Sequence, residues 1–152
     1  MQIIKCLVMA VLISVAPWFH AAFAQTNEEE KWAVGEVGQE LQKCSVYFLV
    51  LSSCLETQEP TLSSRYRAAH DNISRLAISA TMAAGVSPEA YTALAQIEAA
   101  EMMKSMNNSC TNIAVLLKKY MNFCQRLSIE TDWRINEWLA CIRARKRTCG
   151  SP

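Results

Sequence analysis

Cysteine spacing limits the folds open to this 152-residue chain more than any other feature. One of the seven cysteines, Cys6, lies near the N-terminus, and the other six are Cys44, Cys54, Cys110, Cys124, Cys141 and Cys149. Zinc sites, c-type haem attachment and dithiol redox catalysis all need cysteines within a few residues of each other. No two cysteines here are closer than eight positions. We therefore expect these six to form structural disulfides, with no metal or cofactor.

The N-terminus has the three parts of a secretory signal peptide. Lys5 supplies a positive charge, residues 6–15 are almost entirely apolar, and Ala22-Phe23-Ala24 is a small-residue cleavage signal. A membrane anchor needs about 20 apolar residues, and this run is interrupted at Pro17 and His20. The pattern predicts that residues 1–24 are cleaved off and that no transmembrane segment remains.

Removing residues 1–24 from the 152 leaves 128 residues, enough for one domain over residues 25–152. It also takes away Lys5 and Cys6, leaving 14 basic residues against 14 acidic ones, and six cysteines. An even cysteine count in an exported chain is typical of a disulfide framework in the periplasm or outside the cell. A net charge of zero gives no basis for nucleic-acid binding by the domain as a whole.

Few turn residues interrupt the chain, which has only four glycines and four prolines, and the segments between them are rich in helix formers. Apolar spacing predicts an all-α, disulfide-stabilised, up-and-down bundle of about four helices, near residues 27–55, 63–84, 88–127 and 132–146. The first helix has an apolar stripe containing Trp32, and the last has one containing Trp138. The polar residues 107–109 leave open whether the third helix is continuous.

The same topology predicts how the cysteines pair. A disulfide needs Cα atoms within about 7 Å, so cysteines ten or more residues apart on one helix cannot bond to each other. If the first and third helices run parallel, Cys44 pairs with Cys110 and Cys54 with Cys124. The remaining pair is then Cys141 and Cys149, with a short tail folding back on the last helix. This is one of 15 connectivities.

Charge is unevenly distributed along the chain and points to one kind of partner. Residues 28–59 carry seven acids and two bases, whereas residues 118–147 carry eight bases and three acids. The densest basic group lies in the C-terminal tail and consists of Arg143, Arg145, Lys146 and Arg147. Basic residues at a helix C-terminus also complement the helix dipole. The functional hypothesis is an exported, non-enzymatic protein with a binding or structural role toward a protein or an anionic envelope surface.

The sequence also offers two alternative functions. Met102, Met103 and Met106 could form a small-ligand or Cu(I) site in the bundle interior, since thioethers favour Cu(I). Met102 and Met106 also fall on an apolar stripe and suit core packing. His70 is the one histidine left after cleavage and would be the general base of an enzyme. No nucleophile motif accompanies it, and we expect it on a solvated helix face.

Overall fold

A computed structural model describes the backbone of residues 16–144 and 149, and the side chains from residue 27 onward. Within that part the regular structure is entirely helical, as predicted. The α-helices are α1 (Ala16–Leu55), α2 (Pro60–Ala83), α3 (Pro88–Ser105), α4 (Ala114–Ile129) and α5 (Thr131–Arg143), with a 3-10 turn at Cys110–Asn112. The predicted count of about four helices is therefore one too low. The predicted cleavage site after Ala24 lies within the backbone of α1, and its cleavage stays a prediction.

Local signals define the turn between α2 and α3 as expected. Gly85 follows α2 with a φ of 94°, and its N–H donates to the Met82 carbonyl at 2.9 Å. The left-handed conformation after a helix favours glycine because it has no Cβ. Ser87 caps α3 by accepting a hydrogen bond from the Ala90 N–H at 3.2 Å, and Pro88 begins the helix.

The helix predicted over residues 88–127 is divided at Asn107 and Asn108, which both have a φ of 55°. The Asn108 N–H donates to the Met103 carbonyl at 2.8 Å and the Asn107 N–H to the Lys104 carbonyl at 2.9 Å. These two bonds form a Schellman motif, which ends a helix, and asparagine tolerates the left-handed region better than most residues. The polar residues therefore end α3 and reverse the chain direction.

Contacts along α1 show the direction of each helix. Helix α2 is antiparallel to α1, since Ser52 contacts Ser63 and Ser45 contacts His70. Helix α3 is parallel, because its early residue Tyr91 meets Gln42 and the segment just beyond its end is joined to Cys54. Helices α4 and α5 follow one another in the antiparallel direction, so together they take the place of the fourth helix in an up-and-down arrangement.

All six predicted cysteines form disulfides, and the predicted Cys141–Cys149 pair is confirmed. The other two pairs were predicted wrongly: Cys44 bonds to Cys124, with Cα atoms 5.2 Å apart, and Cys54 bonds to Cys110, at 5.3 Å. The prediction placed Cys110 and Cys124 on a helix parallel to α1. Because the chain reverses at Asn107 and Asn108, these cysteines lie on the antiparallel limb, and the pairing is exchanged.

Helix α1 is the central helix of the bundle and contacts all four of the others. A helix buried on one side shows a single apolar stripe, whereas one surrounded by neighbours is buried all round. From residue 40 to residue 54 nearly every side chain of α1 is buried, including Tyr47, Leu51 and the polar Gln42. The predicted single stripe was therefore too narrow. Trp32, which was assigned to it, is 53% exposed, while Trp138 is buried as expected.

Gly38 lets α1 and α2 approach closely. A Cβ at Gly38 would lie 2.8 Å from Thr81 Cγ2 and 2.9 Å from the Thr81 backbone nitrogen. We expect Gly38→Ala to destabilise the protein by about 1–2 kcal/mol. The new Cβ would meet backbone, which cannot rotate away, so the overpacking cost should lie in the upper part of its usual range of about 1–3 kcal/mol, and the gain in helix propensity returns at most about 1 kcal/mol. Urea unfolding measures this difference, and a Gly38→Ala protein as stable as the parent would contradict the close approach.

Candidate functional site

A buried ion pair joins α1 to α5. The Arg134 guanidinium donates through both Nε and Nη2 to the Glu40 carboxylate, with 2.7 Å between Nε and Oε2. A third bond, from Nη1, reaches Glu137 Oε2 at 2.7 Å. Arg134 is 5% and Glu40 7% exposed. A two-point pair of this kind combines charge attraction with fixed geometry, and these hydrogen bonds raise the pKa of Arg134 above its ordinary value.

Aromatic rings surround this guanidinium. Its central carbon lies 5.5 Å from the ring centre of Trp138, 5.6 Å from Trp133 and 5.7 Å from Phe123. Rings within about 6 Å attract a cation through their negative faces. The rings also exclude water from the pair, so Arg134 and Glu40 depend on each other for stabilisation of their charges. We call Glu40, Arg134 and these three rings the charged clamp.

The charged clamp was not predicted from the sequence, where Glu40 and Arg134 contribute only to the charge of their regions. A signal was present in the spacing. Glu40 lies three residues after Val37 and four before Cys44, and Arg134 lies four before Trp138, so both occupy core positions of their helices. Charged residues at such positions are rarely buried unless they are paired.

Of the four basic residues predicted to bind an anionic partner, Arg143, Arg145, Lys146 and Arg147, only Arg143 is among the described residues. The side chain of Arg143 is 55% exposed, and its Nε lies 3.5 Å from Oε2 of Glu29 in α1. Arg145, Lys146 and Arg147 lie outside the described residues. Arg134 and Arg143 of α5 are thus both paired with acids of α1, Glu40 and Glu29.

The methionines of the Cu(I) hypothesis lie in and beside the hydrophobic core. Met102 is 1% exposed and Met106 0%, in the cluster that contains Leu116 and Leu127, and the half-buried Met103 packs against it. Met102 and Met106 are therefore packed as the apolar stripe predicted. Copper binding stays a prediction.

His70 is not on a solvated face, and that expectation was wrong. Its side chain is half-buried, and its Nδ1 lies 2.9 Å from Ser45 Oγ and 3.0 Å from the Ser45 carbonyl oxygen. The cause is its position on the side of α2 that faces α1, whereas its neighbour Asp71 is exposed. A ring nitrogen of His70 thus joins two helices. A catalytic role for it stays a prediction.

Two open grooves flank α1. One, of about 510 Å³, lies where α1 meets the start of α2, and the hydrogen-bonded hydroxyls of Ser52 and Ser63 lie in its wall. The other, of about 290 Å³, lies beside Trp32 and Glu36. Burial, followed by the charge of nearby Glu40, raises the pKa of Glu36. Both grooves combine acidic and basic side chains, so neither selects a single ligand charge.

Among the described residues, no group of three His, Cys, Asp or Glu side chains could hold a metal ion. In that same part of the chain no helix is sufficiently long and apolar to cross a bilayer. Three disulfides in one domain are typical of oxidising compartments. Comparison with protein-family models, with curated proteins and with solved structures finds no match to this chain.

Proposed function

We propose that this chain is an exported, non-enzymatic helical protein that binds an anionic partner, either a protein or an anionic envelope surface. The binding element is the segment closed by the Cys141–Cys149 disulfide. We call its four cationic residues, Arg143, Arg145, Lys146 and Arg147, the basic loop. The observation that carries the proposal is this disulfide, which encloses all four cations in a ring only eight positions long.

Loop closure favours binding for a physical reason. A flexible tail loses conformational entropy when a partner orders it, whereas a cross-linked segment has lost part of that freedom in advance. Closure also keeps the four charges near one another, which strengthens their combined attraction for an anion at moderate salt. Arg134, on the same helix, is buried and paired with Glu40, and so is not available to a partner. Arg143 has more than half of its side chain exposed.

Export is supported by the predicted leader and by the three disulfides. It is tested by N-terminal sequencing of protein recovered from the cell envelope or the culture medium. We expect Gln25 at the N-terminus. Recovery of the chain only from the cytosol, beginning at Met1, would contradict export.

Binding is tested with two anionic probes, vesicles rich in phosphatidylglycerol and the acidic polypeptide polyglutamate, with phosphatidylcholine vesicles as the neutral reference. We expect the protein with oxidised disulfides to bind at least one anionic probe and to release it as salt is raised. The variant Arg143→Ser/Arg145→Ser/Lys146→Ser/Arg147→Ser should lose this binding.

A matched control removes four cations elsewhere, by Arg65→Ser/Arg67→Ser/Arg75→Ser/Lys118→Ser, on exposed positions of α2 and α4. It has the same net charge as the basic-loop variant and should still bind. Cys141→Ser/Cys149→Ser keeps every charge but opens the loop, and we expect it to bind more weakly. Equal losses in the basic-loop variant and the control would show a general charge effect, and would overturn the assignment to this loop.

A further inference from the structure

Helix α3 is apolar on two opposite sides, but only one of them is covered. Met102 is buried against the core, and Tyr91, Ala95 and Ala99 on the same side are half-buried against it. The opposite side carries a second apolar stripe, whose members are all exposed: Ala90, Ala93, Leu94, Ile97 and Ala100. Their spacing of three, one, three and three residues places them on one helix face. We call this stripe the outer face of α3.

Apolar side chains on the outer face are large as well as small. Leu94 is 40% and Ile97 55% exposed, and the alanines beside them would let another helix approach closely. A helix with apolar residues on both sides is typical of one that is packed on both sides. Within the described part of the chain, nothing packs on this second side of α3.

Charges at the two ends of α3 indicate what kind of molecule covers its outer face. Glu89 lies in the first turn and Lys104 in the last, and both are exposed. They are 15 residues apart, which separates them by about 22 Å along the axis and about 60° around it. Two copies of α3 packed antiparallel, with the two-fold axis beside Gln96 and Ile97, bring Glu89 of each copy opposite Lys104 of the other. The same register places Ala93 opposite Ala100.

We propose that the outer face of α3 is the contact surface for a second copy of this chain, paired antiparallel about a two-fold axis. One surface that serves both copies must be complementary to itself. The outer face has Glu89 at one end, Lys104 at the other and aliphatic residues around its centre. The exposed Glu101 also lies on this face near the Lys104 end, on the edge away from the Glu89–Lys104 contact. The inference is independent of the basic loop, whose first cation, Arg143, is the last residue of α5.

The dimer dissociates readily. Helix α3 is about 27 Å long and a helix is about 10 Å wide, so the contact is well below the roughly 800 Å² per partner of a standard interface. Self-association is therefore expected at high protein concentration, and its strength should depend on salt because the end charges take part.

Sedimentation velocity over a range of concentrations tests the aliphatic part of the contact. We expect reversible dimerisation of the parent protein and monomers throughout for Leu94→Ser/Ile97→Ser. The control Leu76→Ser/Ile129→Ser removes two side chains of similar size and exposure from α2 and α4, and should dimerise like the parent. A parent protein that stays monomeric, or a Leu94→Ser/Ile97→Ser variant that dimerises normally, overturns the proposal.

Charge reversal tests the antiparallel register. The dimer contains two Glu89–Lys104 pairs, one for each copy of Glu89. Either Glu89→Lys or Lys104→Glu turns both pairs from attractive to repulsive, and each should weaken dimerisation about tenfold. An equimolar mixture of the two variants should form heterodimers at least as well as the parent forms homodimers, because every lysine then faces a glutamate. The doubly reversed chain, Glu89→Lys/Lys104→Glu, should dimerise again. Failure of both the mixture and the doubly reversed chain to associate would exclude this register.

Discussion

Glu40→Ala should destabilise the protein by about 3–5 kcal/mol, since it leaves the Arg134 guanidinium buried without its main counter-ion. Arg134 is only 5% exposed and is surrounded by the rings of Phe123, Trp133 and Trp138. The guanidinium therefore has little access to water in place of the lost carboxylate. Equilibrium unfolding in urea, with the disulfides intact, measures the loss.

The matched control for this prediction is Glu137→Ala, which removes the other carboxylate bonded to Arg134. The Glu137 side chain is 55% exposed, and exposed ion pairs contribute about 0–1 kcal/mol. Replacing both buried partners, by Glu40→Leu/Arg134→Met, should restore most of the stability, because a buried ion pair is often no better than an apolar pair of similar volume. Equal effects of Glu40→Ala and Glu137→Ala would contradict the buried clamp.

Removing the Cys44–Cys124 disulfide by Cys44→Ala/Cys124→Ala should cost about 3–4 kcal/mol. Its cysteines are 80 residues apart, so in the unfolded chain it restrains a long segment. The Cys54–Cys110 bond, which lies inside that segment, already shortens the loop and keeps the cost below that of an isolated loop of this length. Unfolding in urea without reductant measures the cost.

The comparison for this disulfide is Cys141→Ser/Cys149→Ser, which opens a loop closed over a separation of only eight residues. Chain-entropy arguments give about 2–3 kcal/mol for a loop of that size. Both cysteines of the longer loop are fully buried, so their removal also loses packing in the core. We therefore predict a larger loss of stability for Cys44→Ala/Cys124→Ala than for Cys141→Ser/Cys149→Ser. The reverse order would contradict this prediction.

Local parts of the fold could be predicted from the sequence because their causes are local. Gly85 ends α2, and Ser87 with Pro88 begins α3, through bonds within a few residues. The helical class and the Cys141–Cys149 pair follow from similarly short-range patterns. The burial of Trp138 follows from its apolar stripe.

Long-range parts of the fold could not be predicted in this way. Asn107 and Asn108 reverse the chain, whereas the break at Glu130, between α4 and α5, keeps its direction, and neither break contains glycine or proline. Which break reverses the chain depends on how the helices pack on α1. The same is true of the clamp, because Glu40 and Arg134 are 94 residues apart and the charge pattern names no particular partner.

Peptide mapping of the unreduced protein shows whether α4 runs antiparallel to α1 and whether a disulfide closes the basic loop. Trypsin alone leaves Cys44 and Cys54 on one peptide, so pepsin is used, which cleaves beside the aromatic and leucine residues between them. Its low working pH also suppresses thiolate exchange. We predict peptides linking Cys44 to Cys124, Cys54 to Cys110 and Cys141 to Cys149. Peptides linking Cys44 to Cys110 and Cys54 to Cys124 would contradict the antiparallel arrangement.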